Sequence, residues 1–266
     1  MRLHGLTEEQ YMAWHHDGYL VLEGFLTPEE CDRYNAKMDE AFARWRASGG
    51  SNPELGQLNH VEQICGIIEH DDAFLELMEH PRMMSIMRDL IGDSFVMIDN
   101  DAMLKPPKRE AHTNWHRDTG SWLVVNEKPV PFMVKVFYFL SDVDYDGGCL
   151  AFLPGSVHMS NDQLPKVERQ EDMPGHVRMT VKKGTAVAFH GYLYHSALNN
   201  YSDRVRRTLI YNYAPPFVRT WPGYEPSEAL RAKATTNLRK MLLGVHPWVS
   251  DPKAFESEPE SAASAT

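Results

Sequence analysis

The sequence predicts a mainly β protein, a sandwich or closed barrel such as a jelly roll, with helices packed on its outside. Three observations lead there. Between Phe95 and Ala214 the chain runs in short stretches rich in Val, Phe and Tyr: Phe95–Met97, Phe132–Leu140, Cys149–Leu153, His176–Val181, Thr185–Phe189 and Arg207–Tyr213. Pro, Gly, Asp and Asn separate these stretches, which marks turns between strands. Many short strands of this kind suit a doubled or closed antiparallel sheet better than an open parallel one. The segment before them reads as helical, and no linker divides the two. One domain over residues 1–256 is therefore expected, with a helical N-terminal segment (residues 1–94) packed on a β core (residues 95–215).

The helical segment opens at Thr7, followed by Glu8, Glu9 and Gln10. A hydroxyl N-cap with a carboxamide three residues on is a reciprocal capping pair. A helix runs from there to about His16 and stops at Gly18, and Tyr19–Leu22 is a brief strand. Thr27-Pro28-Glu29-Glu30 repeats the start signal, with proline at the first helical position. Tyr34, Met38, Ala41, Phe42 and Trp45 then follow at helical spacing. Ser48 to Pro53 is a loop. Phe74 to Ile91 carries apolar stripes broken at Pro81, and its methionines read as core. After Pro215-Pro216, Ser227 to Leu243 predicts a helix stopped by Gly244 and Pro247. The tail 257–266 holds too little apolar surface to pack and is expected to be disordered.

Composition narrows the function. With 37 Asp plus Glu against 27 Lys plus Arg, the net charge is −10. That balance repels phosphate backbones and anionic lipids, so neither nucleic acid nor a membrane is expected as a partner. The hydrophobic fraction of 42% suits a soluble globular chain of 266 residues, monomeric or homodimeric. Cys31, Cys65 and Cys149 are scattered and odd in number. They make no disulfide framework, so a reducing, cytoplasmic setting is expected.

Trp115-His116-Arg117-Asp118 is the most informative tetrapeptide. In an extended strand, residues two apart share a side, so His116 and Asp118 can offer a nitrogen and an oxygen to one metal. His195 is the candidate third ligand. Two His and one carboxylate on one face of an octahedral ion leave three positions open, which suits non-heme Fe(II) oxygenases. A lone His-x-Asp arises often by chance, and His112 and His190 compete for the same roles.

The larger set is more specific. His116-x-Asp118, then Gly147-Gly148-Cys149-Leu150-x-Phe152-x-Pro154-Gly155-Ser156-x-His158, then His195 and Arg206 together resemble the phytanoyl-CoA dioxygenase family. The resemblance runs from about Asp99 to Pro215 and extends to the helical N-terminal third. It implies a cupin-like, jelly-roll double-stranded β-helix. It also implies Fe(II) held by His116, Asp118 and His195, with 2-oxoglutarate and O2 as cosubstrates. Arg206 would anchor the far carboxylate of 2-oxoglutarate, since a guanidinium fork fits a carboxylate in a bidentate pair. Arg204 shares the strand parity of Arg206, so the choice between them rests on the family match.

Other residues take lesser roles in this reading. Trp122 sits like an aromatic residue that borders the cosubstrate. Lys135 lies in an apolar strand where its charge needs a partner, and Phe137 shares its side. Both are candidates for the cosubstrate pocket. Asp99, Asp101 and Lys105 lie on a segment near the expected substrate mouth. Tyr138, Tyr192, Tyr194, Trp115 and Trp221 suggest an aromatic-lined pocket. Relatives often carry a small hydroxylated residue two positions after the distal histidine, and here that position is Ala197.

The expected reaction is hydroxylation, or another oxidation, of a C–H bond in a small molecule, with release of succinate and CO2. Related halogenases have a small residue where this chain has Asp118, which argues against halogenation. Two rivals use the same residues differently. A cupin-like isomerase or hydrolase would need the metal without 2-oxoglutarate. A nonenzymatic jelly-roll binding protein would need neither.

Overall fold

The computed structural model describes residues 3–50, 61–110, 114–119, 123–125, 128–220 and 224–245. Helix α1 (Glu8–Asp17) begins as the capping pair predicts. The Thr7 hydroxyl accepts the Gln10 N–H, and the Gln10 side chain accepts the Thr7 N–H. Gly18 ends the helix at φ 87°, where a Cβ would lie 2.7 Å from Val157. Only glycine fits that turn without displacement. Strand β1 (Tyr19–Leu22) follows, then α2 (Pro28–Ala47), capped by Thr27 in the same way.

The chain continues through β2 (Glu62–Cys65), α3 (Asp72–Met78), α4 (Pro81–Leu90) and β3 (Val96–Lys105). Next come β4 (Leu123–Val125), β5 (Lys128–Val130), β6 (Val134–Phe139), β7 (Leu150–Phe152) and β8 (Val177–Arg178). Strands β9 (Ala186–His190), β10 (His195–Ala197) and β11 (Arg206–Ala214) complete the sheets. The helix expected over Ser227–Leu243 is broken into α5 (Glu228–Ala232) and α6 (Asn237–Leu242), because Thr236 caps a new start. The tail 257–266 lies outside the described residues.

Six antiparallel strands form the main sheet in the order β1-β9-β6-β11-β3-β2, and β10-β7-β8 form a smaller one. One face of the main sheet presents Val134, Val136, Tyr138, Leu209, Tyr211 and Tyr213 to the helices, where Tyr34, Met38, Phe42, Phe74 and Met87 join the same apolar cluster. Two of the tyrosine hydroxyls find acceptors there: Tyr211 donates to the Phe74 carbonyl and Tyr213 to that of Met78. The other face presents Phe137, Phe139, Val187, Phe189 and Ile210 to Leu150 and Phe152 of the smaller sheet.

The closed double-stranded β-helix is not what forms. The two sheets face each other but stay open, and among the described residues no strand ladder joins their edges. Strands of two or three residues in the smaller sheet offer too few ladder bonds to close a barrel. The links to and from them run as turns and short 3-10 segments. Both edges of the main sheet are supplied instead by β1 and β2, from the stretch of chain that reads as helical. No described helix is long and apolar enough to cross a membrane.

Candidate metal centre

His116 and His195 meet across the sheets. Each donates its backbone N–H to the other's carbonyl at 2.9 Å, an isolated antiparallel bridge. The 116–118 segment is therefore no strand. It is held by this bridge and by Gly191, whose carbonyl accepts the N–H groups of Asp118 and Thr119. The expected convergence still holds, since His116 and Asp118 each bring a ligand atom to His195.

One ligand atom from each of His116, Asp118 and His195 lies within 4.8 Å of the others. His116 Nε2 is 3.6 Å from Asp118 Oδ1, and His195 Nε2 is 3.4 Å from Oδ2. The Nδ1 of His116 faces the Asn114 carbonyl at 2.8 Å, and that of His195 the Leu193 carbonyl at 2.9 Å. A carbonyl only accepts, so both Nδ1 atoms carry the hydrogen and both Nε2 atoms keep a lone pair. Fixing the tautomer through the far nitrogen is how proteins ready histidines for metals.

Electrostatics favours the ligand state. Burial pushes the His195 imidazole down to about 4, with Asp118 opposing and His116 and Lys135 assisting. Burial alone would raise the Asp118 carboxyl, but Lys135 and the two imidazoles hold it well below the usual carboxylate range. At neutral pH the set thus holds a carboxylate and, at position 195, an uncharged imidazole, as a divalent ion requires.

Lys135 answers for its own odd position. Its Nζ lies 3.0 Å from Asp118 Oδ2. Burial opposes its charge, yet Asp118, Asp99 and Asp101 keep its pKa raised. Phe137 is buried beside Phe189, their rings 5.8 Å apart, on the same sheet face. Asp99 accepts from Asn212, and Asp101 is pushed up to about 7 by burial and by Asp99.

Arg206 and Arg204 separate clearly. Arg204 is exposed and paired with Asp144. Arg206 is 2% exposed, and among the described residues its guanidinium reaches the Gly148 carbonyl and the Met103 sulfur while Nε has no partner. A buried fork left that far from saturated fits a missing carboxylate.

Among the described residues, His190 is not one of the three converging side chains. Its Nδ1 accepts the Tyr192 N–H, and it packs near Trp14. Burial pushes it down to about 4. Unfolding restores an ordinary imidazole, so the stability it lends is full above about pH 6.5 and is lost as pH falls toward 4. In chemical denaturation of the metal-free protein, His190 should account for about 3 kcal/mol of the stability lost over that window, beside the share of His195, which burial also lowers to about 4. A His190→Gln variant should show a visibly flatter profile, and an unchanged one would contradict this assignment.

Several expectations resolve differently. Tyr138 lies in the apolar cluster between the main sheet and the helices. Trp115 packs with Leu153, Met173 and Leu198 and donates to the Gln170 carbonyl. His112, Trp122 and Trp221 lie outside the described residues. Sequence reasoning passed over Arg117, which donates to the carbonyls of Tyr192, Ser156 and Met159 and lies 3.8 Å over the Tyr192 ring. It buckles the segment carrying His116 and Asp118 to the loop before His195. Its alternation between two inward ligands was the only signal, and it points outward by that rule.

Comparison with known proteins accords with this geometry. The family model for "Phytanoyl-CoA dioxygenase (PhyH)" matches residues 14–208. L-proline trans-4-hydroxylase of Streptomyces griseoviridis is 27% identical over 179 residues, covering 58% of this chain and 67% of that protein. The ectoine dioxygenase of Nocardia farcinica (strain IFM 10152) is 22% identical over 256 residues, covering 79% and 82%. In fold, the chain is similar to HygX from Streptomyces hygroscopicus, solved with nickel and 2-oxoglutarate bound. The TM-score is 0.68 at 16% identity, over 85% of this chain and 94% of that one. The family model takes in all three converging side chains and every strand except most of β11, so this chain belongs to the phytanoyl-CoA dioxygenase family and is a non-heme enzyme that uses Fe(II), 2-oxoglutarate and O2 to oxidise a C–H bond of its substrate.

Proposed function

We propose that His116, Asp118 and His195 hold the iron, that Arg206 receives the distal carboxylate of 2-oxoglutarate, and that the product is a hydroxylated small molecule. The convergence of three donors with both Nδ1 atoms already committed carries this reading. When bound, the iron supplies the oxygen chemistry and 2-oxoglutarate the electrons, leaving as succinate and CO2.

The chain's own residues position and shield. Asp118 brings the negative charge, while Lys135 grips one of its oxygens and so limits how the carboxylate turns. His195 is buried beneath Phe189 and Phe152, its ring 4.8 and 6.4 Å from theirs. That apolar cover keeps water from one side. His116 is the more open ligand, its side chain 35% exposed, and Asp99 and Lys135 are also partly exposed. We read this side as the substrate entrance and Phe137 as lining toward the cosubstrate. The related proteins that act on proline and on ectoine favour a small molecule over a macromolecule. We further read residues 1–256 as one domain working in the cytoplasm.

Anaerobic loading with Fe(II), followed by O2 and 2-oxoglutarate over a metabolite panel, tests this. Succinate should appear in step with 2-oxoglutarate loss, and one panel member should gain a single oxygen atom. Succinate formation that ignores iron would refute the assignment.

A further inference from the structure

Acceptors short of donors lie on the inner face of the main sheet. Met103 of β3, Ile210 of β11 and Phe137 of β6 belong to or pack against the apolar cluster on that face. Residues two apart on a strand share a side, so Asp99 and Asp101 of β3, Asn212 of β11 and Lys135 of β6 face the same way. Register sets Asp99 opposite Asn212, and Asn212 opposite Lys135. The Lys135 Nζ in turn lies 3.0 Å from Asp118 Oδ2. One polar row therefore crosses three strands and ends at a proposed iron ligand.

The far end of that row is unfinished. Asn212 is 1% exposed, and its Nδ2 donates to Asp99 Oδ2 at 2.8 Å. That bond fixes the amide's orientation and leaves Oδ1 as an acceptor, which has no partner among the described residues. Asp101 is 6% exposed and held from β2 by Gln63 and Cys65, and its Oδ1 is likewise without a partner there. Neither Asp99 nor Asp101 enters an ion pair among the described residues, since Lys135 is committed to Asp118. Buried acceptors left open in this way destabilise a fold until a donor meets them.

The donor they call for is charged. Burial, then Asp99, pushes Asp101 up to about 7, and burial raises Asp99 against the pull of Lys135. Lys135 acts on both carboxyls without pairing with either. A neutral hydroxyl or amide would bring donors but leave the like-charged pair unrelieved. A cation brings both, and it would meet two carboxylates and an amide oxygen.

We propose that Asp99 and Asp101, assisted by Asn212, receive a protonated nitrogen of the substrate: an amine, amidine or guanidine. This rests on the proposed reading of His116, Asp118 and His195 as the iron ligands. The two carboxylates stand about 7 Å apart along β3, and Asp99 stands about 10 Å across the sheet from the strand of Lys135. A substrate pinned by its charge at that remove presents to the metal a carbon several bonds from the nitrogen. The second carboxylate limits rotation about the first, so the pair selects which C–H bond is reached.

Calorimetry on protein loaded with Ni(II) and 2-oxoglutarate, which does not turn over, tests this with three shape-matched pairs of probes. These are benzamidine and benzamide, butylguanidine and butylurea, and benzylamine and benzyl alcohol. At least one charged probe should bind about 10–100-fold more tightly than its uncharged counterpart. Asp99→Asn, which keeps an oxygen for the Asn212 amide, should remove that preference and leave the uncharged probe bound as in wild type. Asp101→Asn should reduce the preference.

Equal affinity within every pair, absence of binding included, would overturn the proposal. So would a preference that survives both substitutions. An equal loss for charged and uncharged probes would mark Asp99 as structural and overturn it too. Nickel and 2-oxoglutarate binding to the wild type is read in the same titrations. Their failure would remove the reading of the iron site, whereas their success with no charge preference would remove this proposal alone.

Discussion

Asp118→Ala is expected to lower iron-dependent succinate formation by about 10³-fold or more, and to destabilise the fold at the same time. The first effect follows from losing the one carboxylate of the proposed ligand set among the described residues. The second follows from Lys135, whose Nζ sits 3.0 Å from the deleted group with its side chain 18% exposed. Breaking one partner of a buried pair strands the other, at about 2–4 kcal/mol. Asp99 and Asp101 sit close enough to soften that cost, because both act on Lys135. The two effects come apart in the double variant Asp118→Ala/Lys135→Met. There the melting temperature should recover, while activity stays lost. Recovery of activity in the double variant would show that Asp118 is a structural partner of Lys135 and no ligand.

Arg206→Met carries the second large effect, with opposite signs on binding and stability. A guanidinium held at 2% exposure, with burial pushing it down to about 10, is charged at a cost the empty protein carries alone. Replacing it with an apolar chain of similar length should leave the melting temperature of the metal-free protein unchanged or raise it by a few degrees, worth about 1 kcal/mol. Binding of 2-oxoglutarate should weaken about 10²–10³-fold, as two charge-assisted hydrogen bonds are lost. Sites that bind ligands often hold such strained charge, and stability gained there is function given up. A melting temperature lowered by more than a few degrees would place Arg206 in the scaffold. So would a retained affinity for the cosubstrate.

The contrast between the two residues explains how far the chain could be read in advance. Thr7 and Thr27 announced their helices because a capping pair is closed within three residues, and both pairs form as written. The short apolar stretches became β6, β7, β9 and β11 for a similar reason, since runs rich in Val, Phe and Tyr between turn residues are a local strand signal, and these strands are buried on both faces. Strand alternation likewise paired His116 with Asp118. Strand β2 and most of β3 were not legible, because Glu62–Cys65 and Asp99–Lys105 mix charge with apolar residues and owe their pairing to neighbours. Barrel closure was expected from strand number and family likeness. It fails because the smaller sheet is built of strands two or three residues long.

Local chemistry therefore named the candidates: two imidazoles, a carboxylate and an arginine. It could not decide that Arg206 rather than Arg204 is buried, that Lys135 leans on Asp118, or that Lys105 stands opposite Arg206. Those are facts of register between strands far apart along the chain, and burial turns each of them into an electrostatic constraint. A sequence names the charges, but only the packed sheets remove the water that would have let each one stand alone.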